Sequence, residues 1–212
     1  QIISCHSKVS GAGELEFCSQ YGLPLIRGNI KLNEESLKRF RVQYLDELKK
    51  LSNGKPFVTD KMPSNFRHIG LIKTAFPEAK IIHVNRDPKA VCWSNFKLNF
   101  VSRGLGFTFD LKDLVEYHRL YNDLMNFWKK QYGNLIYQLD YEELTNNQEE
   151  ETRKLIEYTG LPWEDVCLSP QKNKRSVRTA STQQVRQKVY KGSSEEWKKF
   201  EKLLSGAFNE LT

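Results

Sequence analysis

No segment of this 212-residue chain approaches the ~18 consecutive apolar residues that a membrane-spanning helix requires. The four cysteines, Cys5, Cys18, Cys92 and Cys167, form no CxxC pair, and neither they nor His6, His68, His83 and His118 stand at metal-ligand spacing. Zinc-finger and thioredoxin-type motifs are thereby excluded, and no metal is implied. Scattered thiols favour a reducing compartment, with the cytoplasm the expected location, and mark each cysteine as a small core residue. A Cys5–Cys18 pair stays open for a secreted protein. Also lacking are GxxxxGK[ST] and GxGxxG, the loops by which doubly wound sheets hold phosphates. The Gly-Ala-Gly-Glu run at 11–14 does not replace them, because no apolar strand precedes it. Neither an internal repeat nor a low-complexity segment is visible. The chain opens at Gln1 without Met or signal sequence and reads as the end of a helix. An N-terminally incomplete piece is expected, with targeting information upstream.

What is present suits one α/β domain: 39% hydrophobic and 28% charged residues in a chain long enough for a core. The net charge of +7 is concentrated. Residues 170–192 carry Lys172, Lys174, Arg175, Arg178, Arg186, Lys188 and Lys191 and no acid. Such a block is a solvated loop or an arm that meets a polyanion, whether nucleic acid, a membrane surface or a phosphorylated nucleotide. Composition does not choose among them.

Strands and helices alternate along the chain. A strand over 56–60 leads to Ser64, placed to cap a helix over 65–75 that Pro77 ends. Residues 80–85 read as a buried strand, with Ile81, Ile82 and Val84. Asp87 can cap, and Pro88 can open, a helix running to about residue 100. Residues 104–109 form a loop, and Leu111, Leu114, Val115, His118, Tyr121, Met125 and Trp128 then recur at helical spacing from Asp110. A strand over 134–140 and helices over 34–51 (from Asn33), 148–159 and 194–208 complete the reading. The fold class is therefore α/β, a three-layer parallel sheet with helices on both faces.

In this order, four stretches resemble a family: "HSKVSGAGELEF" (6–17), "DKMPSNFRHIGLIKTAFPEAKIIHVNRDPKAVCWSNFK" (60–97), "LDYEEL" (139–144) and "STQQVRQKVY" (181–190) followed by Trp197. They are similar to sulfotransferases that use 3′-phosphoadenosine 5′-phosphosulfate, in the branch often linked to tetratricopeptide repeats, with a more distant likeness to tyrosylprotein sulfotransferases. The resemblance implies a P-loop-like architecture over residues 1–212 as a single domain, here without its first strand and the Pro-Arg-Ser-Gly-Thr-Thr-type loop that grips the 5′-phosphosulfate. Lys188 also stands where the family has proline.

The resemblance assigns roles residue by residue. Arg86 and Ser94 match the 3′-phosphate site: Arg offers a bidentate fork and Ser a further donor, about 10 Å along a helix. Unaided by the likeness, Arg86 would read as a strand end paired with a neighbouring acid. Ser181 and Thr182 occupy the segment that reaches the same phosphate, with Arg186 a further cation. Tyr141 resembles the tyrosine that contacts adenosine, though a core ring with its hydroxyl in water would look alike. Lys61, otherwise an ordinary turn lysine, would stand beside the reacting group and offset charge on the leaving oxygen. Glu14 is the candidate base that takes the acceptor's proton, as a matching glutamate does in the tyrosylprotein relatives. His6 is its rival, and both also read as charges at helix ends.

The implied reaction moves a sulfuryl group to an acceptor hydroxyl, or amine, and leaves 3′,5′-bisphosphoadenosine. Its partners are the nucleotide, an unidentified acceptor and, upstream, tetratricopeptide repeats; nucleic acid ranks below these. Without the donor loop, this piece is expected to be inactive alone. Two alternatives remain: a Mg-dependent P-loop kinase of small molecules, and a non-catalytic module that binds nucleotide or nucleic acid with steep salt dependence.

Overall fold

The computed structural model describes residues 1–100, 104–175, 177 and 183–211. In chain order its regular elements are α1 (Ile2–Cys5), β1 (Val9–Gly13), α2 (Leu23–Ile26), α3 (Glu34–Leu51), β2 (Phe57–Asp60), α4 (Ile69–Ala75), β3 (Ile81–Asn85), α5 (Pro88–Phe96), α6 (Leu111–Tyr132), β4 (Ile136–Asp140), α7 (Tyr141–Asn146), α8 (Gln148–Thr159) and α9 (Glu201–Phe208). They form two compact units, residues 1–81 with 152–189, and residues 82–151 with 190–212.

In the first unit β1 and β2 run parallel, pairing Val9 with Phe57, Ser10 with Val58, Gly11 with Thr59 and, after an irregularity, Gly13 with Asp60. β1 was not expected, since glycine is depleted in strands and only Val9 supplies an apolar side chain. The Gly-Ala-Gly run is thus the end of a strand rather than a loop. A parallel pair needs a crossover, which α3 provides. Asn33 caps α3 reciprocally with Ser36: the Ser36 amide donates to Asn33 Oδ1 (2.9 Å), and the Asn33 amide donates to Ser36 Oγ (3.0 Å). Glu34 and Glu35 in the first turn and Lys49 and Lys50 in the last complement the helix dipole. Phe17, Cys18, Leu25, Phe40, Tyr44, Leu71 and Phe76 close a core here, with Phe17 and Tyr44 stacked at 4.6 Å. A second cluster joins Val9, Ile156, Leu161 and Cys167.

Pro63–His68 is a 3₁₀ segment, and α4 begins only at Ile69 with no side-chain cap. Ser64 therefore does not open a helix as expected. The neighbouring Asn65 instead donates to Asp60 Oδ2 (3.2 Å), which draws the chain after β2 inward.

The second unit holds the ladder of β3, from Ile82, with β4. β3 is half-buried and Val84 is exposed, not the fully buried strand the sequence suggested. Asp87 caps α5 by accepting from the Ala90 amide (2.7 Å), with Pro88 in the first turn. Asp110 caps α6 through the Lys112 and Asp113 amides, and Gly133, at φ 51°, ends it. Ala90, Cys92, Leu114, Trp197, Leu204 and Phe208 form the core. The expected single helix over 194–208 is divided: Ser193–Phe200 is 3₁₀ and α9 follows. The three-residue period brings Ser194 and Trp197 to one side, and both are buried.

All four cysteines are free, and burial pushes the Cys18 and Cys92 thiols up to about 12 and Cys167 up to about 11. No described helix is long and apolar enough to cross a membrane.

Candidate functional site

The carboxyl ends of β1 and β2 carry Glu14 and Lys61. Lys61 continues the ladder, its amide donating to the Gly13 carbonyl (2.8 Å), and its Nζ forms an ion pair with Glu14 Oε1. The lysine side chain is 65% exposed and that of the glutamate 29%, so both face solvent. An ammonium has three donors, and among the described residues Glu14 engages one of them. The C-terminal edge of parallel strands is where open α/β sheets bind ligands.

Beneath this pair, Asp60 accepts from the Leu15 amide (3.1 Å), from Asn65 Nδ2 (3.2 Å) and from the Tyr44 hydroxyl. Burial raises the Asp60 carboxyl above its ordinary range, and these donors oppose the shift. Tyr44 is itself buried and pushed well above the usual tyrosine range, chiefly by burial and then by the Asp60 charge. Asp60 thus ties the backbone just after Glu14 to the strand end just before Lys61. In the sequence Asp60 is marked only by its place next to that lysine.

His6 is fully buried, with Nε2 against the Pro162 carbonyl (2.9 Å) and Nδ1 accepting from the Lys8 amide (3.1 Å). Nε2 also lies 3.4 Å from Glu164 Oε1, so the ring is engaged by two backbone groups and a carboxylate. Arg186, expected at the nucleotide, donates Nη1 to the Asn173 carbonyl and Nη2 to the Arg175 carbonyl (2.6 Å). Its fork holds the 173–175 turn.

In the second unit Arg86 follows β3. Its guanidinium lies over the Tyr141 ring, 4.7 Å from the centroid, which fits a cation–π contact. Nε donates to Ser194 Oγ (3.0 Å) and Nη2 to the Ser193 carbonyl (2.9 Å), while Nη1 has no partner among the described residues. The Tyr141 hydroxyl bonds Ser193 Oγ (2.9 Å), and Ser194 Oγ donates to Glu142. Arg86 and Tyr141, 55 positions apart in sequence, are therefore in direct contact. Ser193 and Ser194 were missed; Gly192, left-handed at φ 86° just before them, was the available sign of a tight turn. Ser94 is on α5 and half-buried, and its hydroxyl has no hydrogen bond to the described residues. Ser181 and Thr182 lie outside the described residues.

An open cleft of about 470 Å³ adjoins Arg86, with His118, Asn122, Asp87, Asp140 and Glu142 in its wall. Burial holds the His118 imidazole below its ordinary pKa, with Asp87 opposing. Arg86 shares the cleft wall with the carboxylates of Asp87, Asp140, Glu142 and Glu143.

Residues 1–165 match the model of the Sulfotransferase family. The chain belongs to that family. An uncharacterized protein of Aquifex aeolicus (strain VF5) is 38% identical over 221 positions, covering 97% of this chain and 29% of that protein. The chain thus spans under a third of the relative's length. Among solved structures, the sulfotransferase domain from the Synechococcus PCC 7002 olefin synthase superposes with a TM-score of 0.67 at 17% identity, over 93% of this chain and 80% of that one. The α/β fold is that of a sulfotransferase domain.

Proposed function

We propose that this chain serves transfer of a sulfuryl group from 3′-phosphoadenosine 5′-phosphosulfate to an acceptor hydroxyl or amine. The observation that carries the reading is the Glu14–Lys61 pair, emerging from adjacent parallel strand ends in a chain of the sulfotransferase family. The acceptor O–H gives its proton to the Glu14 carboxylate as its oxygen bonds sulfur. The bridging S–O bond breaks, its electron pair stays with the departing 3′,5′-bisphosphoadenosine, and the Lys61 ammonium offsets the charge gathering on that oxygen. Glu14 is taken as the base over His6 because His6 is buried, with its ring held by the Pro162 carbonyl, the Lys8 amide and Glu164. Arg86 anchors the 3′-phosphate through Nη1, its orientation set by Tyr141, Ser193 and Ser194. Ser94, Ser181 and Thr182 keep the supporting contacts that the family likeness gives them.

Binding is the first test. Calorimetric titration should show 3′,5′-bisphosphoadenosine bound at least about tenfold more tightly than 5′-adenosine monophosphate, as a charged hydrogen-bonded contact warrants. Arg86→Ala should abolish that difference. Equal affinities in the unmodified chain would overturn the reading. Mg-dependent consumption of ATP would favour the kinase, and binding of nucleic acid alone, steeply weakened by salt, the binding module.

A further inference from the structure

We infer that Arg175 is a second cation of the transfer site, binding the sulfuryl oxygens beside Lys61. The inference rests on the sulfotransferase reading and adds a residue that neither motif nor spacing had singled out from the basic block.

Arg175 lies along the glycines of β1. A Cβ at Gly11 would sit 2.9 Å from both Cδ and Nε of Arg175, and one at Gly13 would sit 3.3 Å from Nη1. The side chain therefore runs up the strand in the space two missing side chains leave, and its guanidinium reaches the strand's carboxyl end. That end is where Gly13 receives the Lys61 amide and where Glu14 meets the Lys61 ammonium. Gly13, at φ 89°, also has a backbone that few other residues adopt.

The backbone of Arg175 is fastened from several directions. Its amide donates to Asn173 Oδ1 (3.0 Å), and its carbonyl accepts from Arg186 Nη2 (2.6 Å). The Asn173 carbonyl takes Arg186 Nη1, and Asn173 Nδ2 reaches Ser4 Oγ (3.0 Å). Arg186 is thus a positioning residue for Arg175. This explains why the basic block needs an arginine there, because one planar fork engages two carbonyls at once.

Charge selects the ligand. Among the described residues Glu14 is the carboxylate ion-paired with Lys61 at this edge, while Asp60, whose charge also acts on Lys61, spends its hydrogen bonds on Tyr44, Asn65 and the Leu15 amide. Lys61 and Arg175 thus bring two cations to an edge whose exposed carboxylate, among the described residues, is Glu14. A guanidinium matches a tetrahedral oxyanion with parallel donors, and the sulfuryl group presents three such oxygens. Lys61 is then left for the bridging oxygen, and Arg175 for the group in transit.

The test compares donor with product, which differ by the sulfuryl group. Affinities of 3′-phosphoadenosine 5′-phosphosulfate and 3′,5′-bisphosphoadenosine are measured by calorimetry on the unmodified chain and on Arg175→Ala, Arg175→Lys and Gly11→Ala, with folding checked by circular dichroism. Arg175→Ala should weaken the donor about tenfold while leaving the product unchanged. Gly11→Ala should do likewise, because its methyl group displaces the guanidinium with the charge retained. Arg175→Lys should recover the loss only in part. Equal weakening of donor and product, or of neither, in folded Arg175→Ala overturns the inference while the sulfotransferase reading stands. A parent chain that fails to prefer the 3′-phosphorylated nucleotide overturns both.

Discussion

Glu14 and Lys61, 47 positions apart in sequence, are joined by an ion pair one residue beyond the ends of two hydrogen-bonded parallel strands. The register of the ladder produces this meeting. Gly13 pairs with Asp60, and the next residue on each strand is a charged one. Because the ladder sets the two Cα positions, neither side chain needs a helix or a disulfide to hold it at the edge.

In a chain that includes the donor-gripping loop the family likeness implies, Glu14→Gln should lower the rate of sulfuryl transfer by about 100-fold or more while leaving donor affinity unchanged, as expected for loss of a general base. Stability should move by under about 1 kcal/mol, since the pair is exposed. Steady-state kinetics with the donor and a simple phenol, alongside a thermal melt, check both points. A variant that keeps its rate would remove Glu14 from the chemistry.

Arg86→Lys should fail to restore preference for the 3′-phosphate. Lysine keeps the charge but cannot stack flat on Tyr141 while donating to both Ser193 and Ser194. Tyr141→Phe keeps the ring and loses only the bond to Ser193, so its effect should be the smaller. Titrations with and without the 3′-phosphate separate the two variants.

Tyr44→Phe removes a donor from a buried carboxylate that retains the Leu15 amide and Asn65. A cost of about 1–3 kcal/mol is expected from the loss of one partner, read by urea denaturation. Asp60→Asn should be destabilised too, because its amide NH₂ cannot accept from Tyr44. No change in either midpoint would show that the network contributes nothing to the fold.

His68 sets a pH limit. It is 1% exposed, its ring nitrogens have no hydrogen-bond partner among the described residues, and burial lowers its pKa from 6.5 to about 4. Between these values the unfolded chain binds the proton and the folded chain does not, so stability falls as the pH drops. The loss begins below about pH 6.5 and is complete near 4, on the order of 3 kcal/mol. Urea midpoints across that range should fall in the parent, and His68→Leu should flatten this component. A slope unchanged by the substitution would assign the pH dependence to other groups.

The helix caps were legible along the chain because capping is local: Asn33, Asp87 and Asp110 act on amides two or three residues away. The same locality made Arg86 and Lys61 readable as cations at strand ends. The sequence by itself determined these elements, their α/β alternation and the place of the basic block. Only the tertiary structure decided what each polar side chain spends its bonds on. It buried His6 between two backbone groups, turned Arg186 onto two carbonyls, and laid Arg175 along a strand whose glycines had concealed it. The Pro162 carbonyl on His6 and the β1 glycines beside Arg175 are more than 150 positions away in sequence. Hydrogen bonds and close packing depend on ångström distances that residue order alone does not specify.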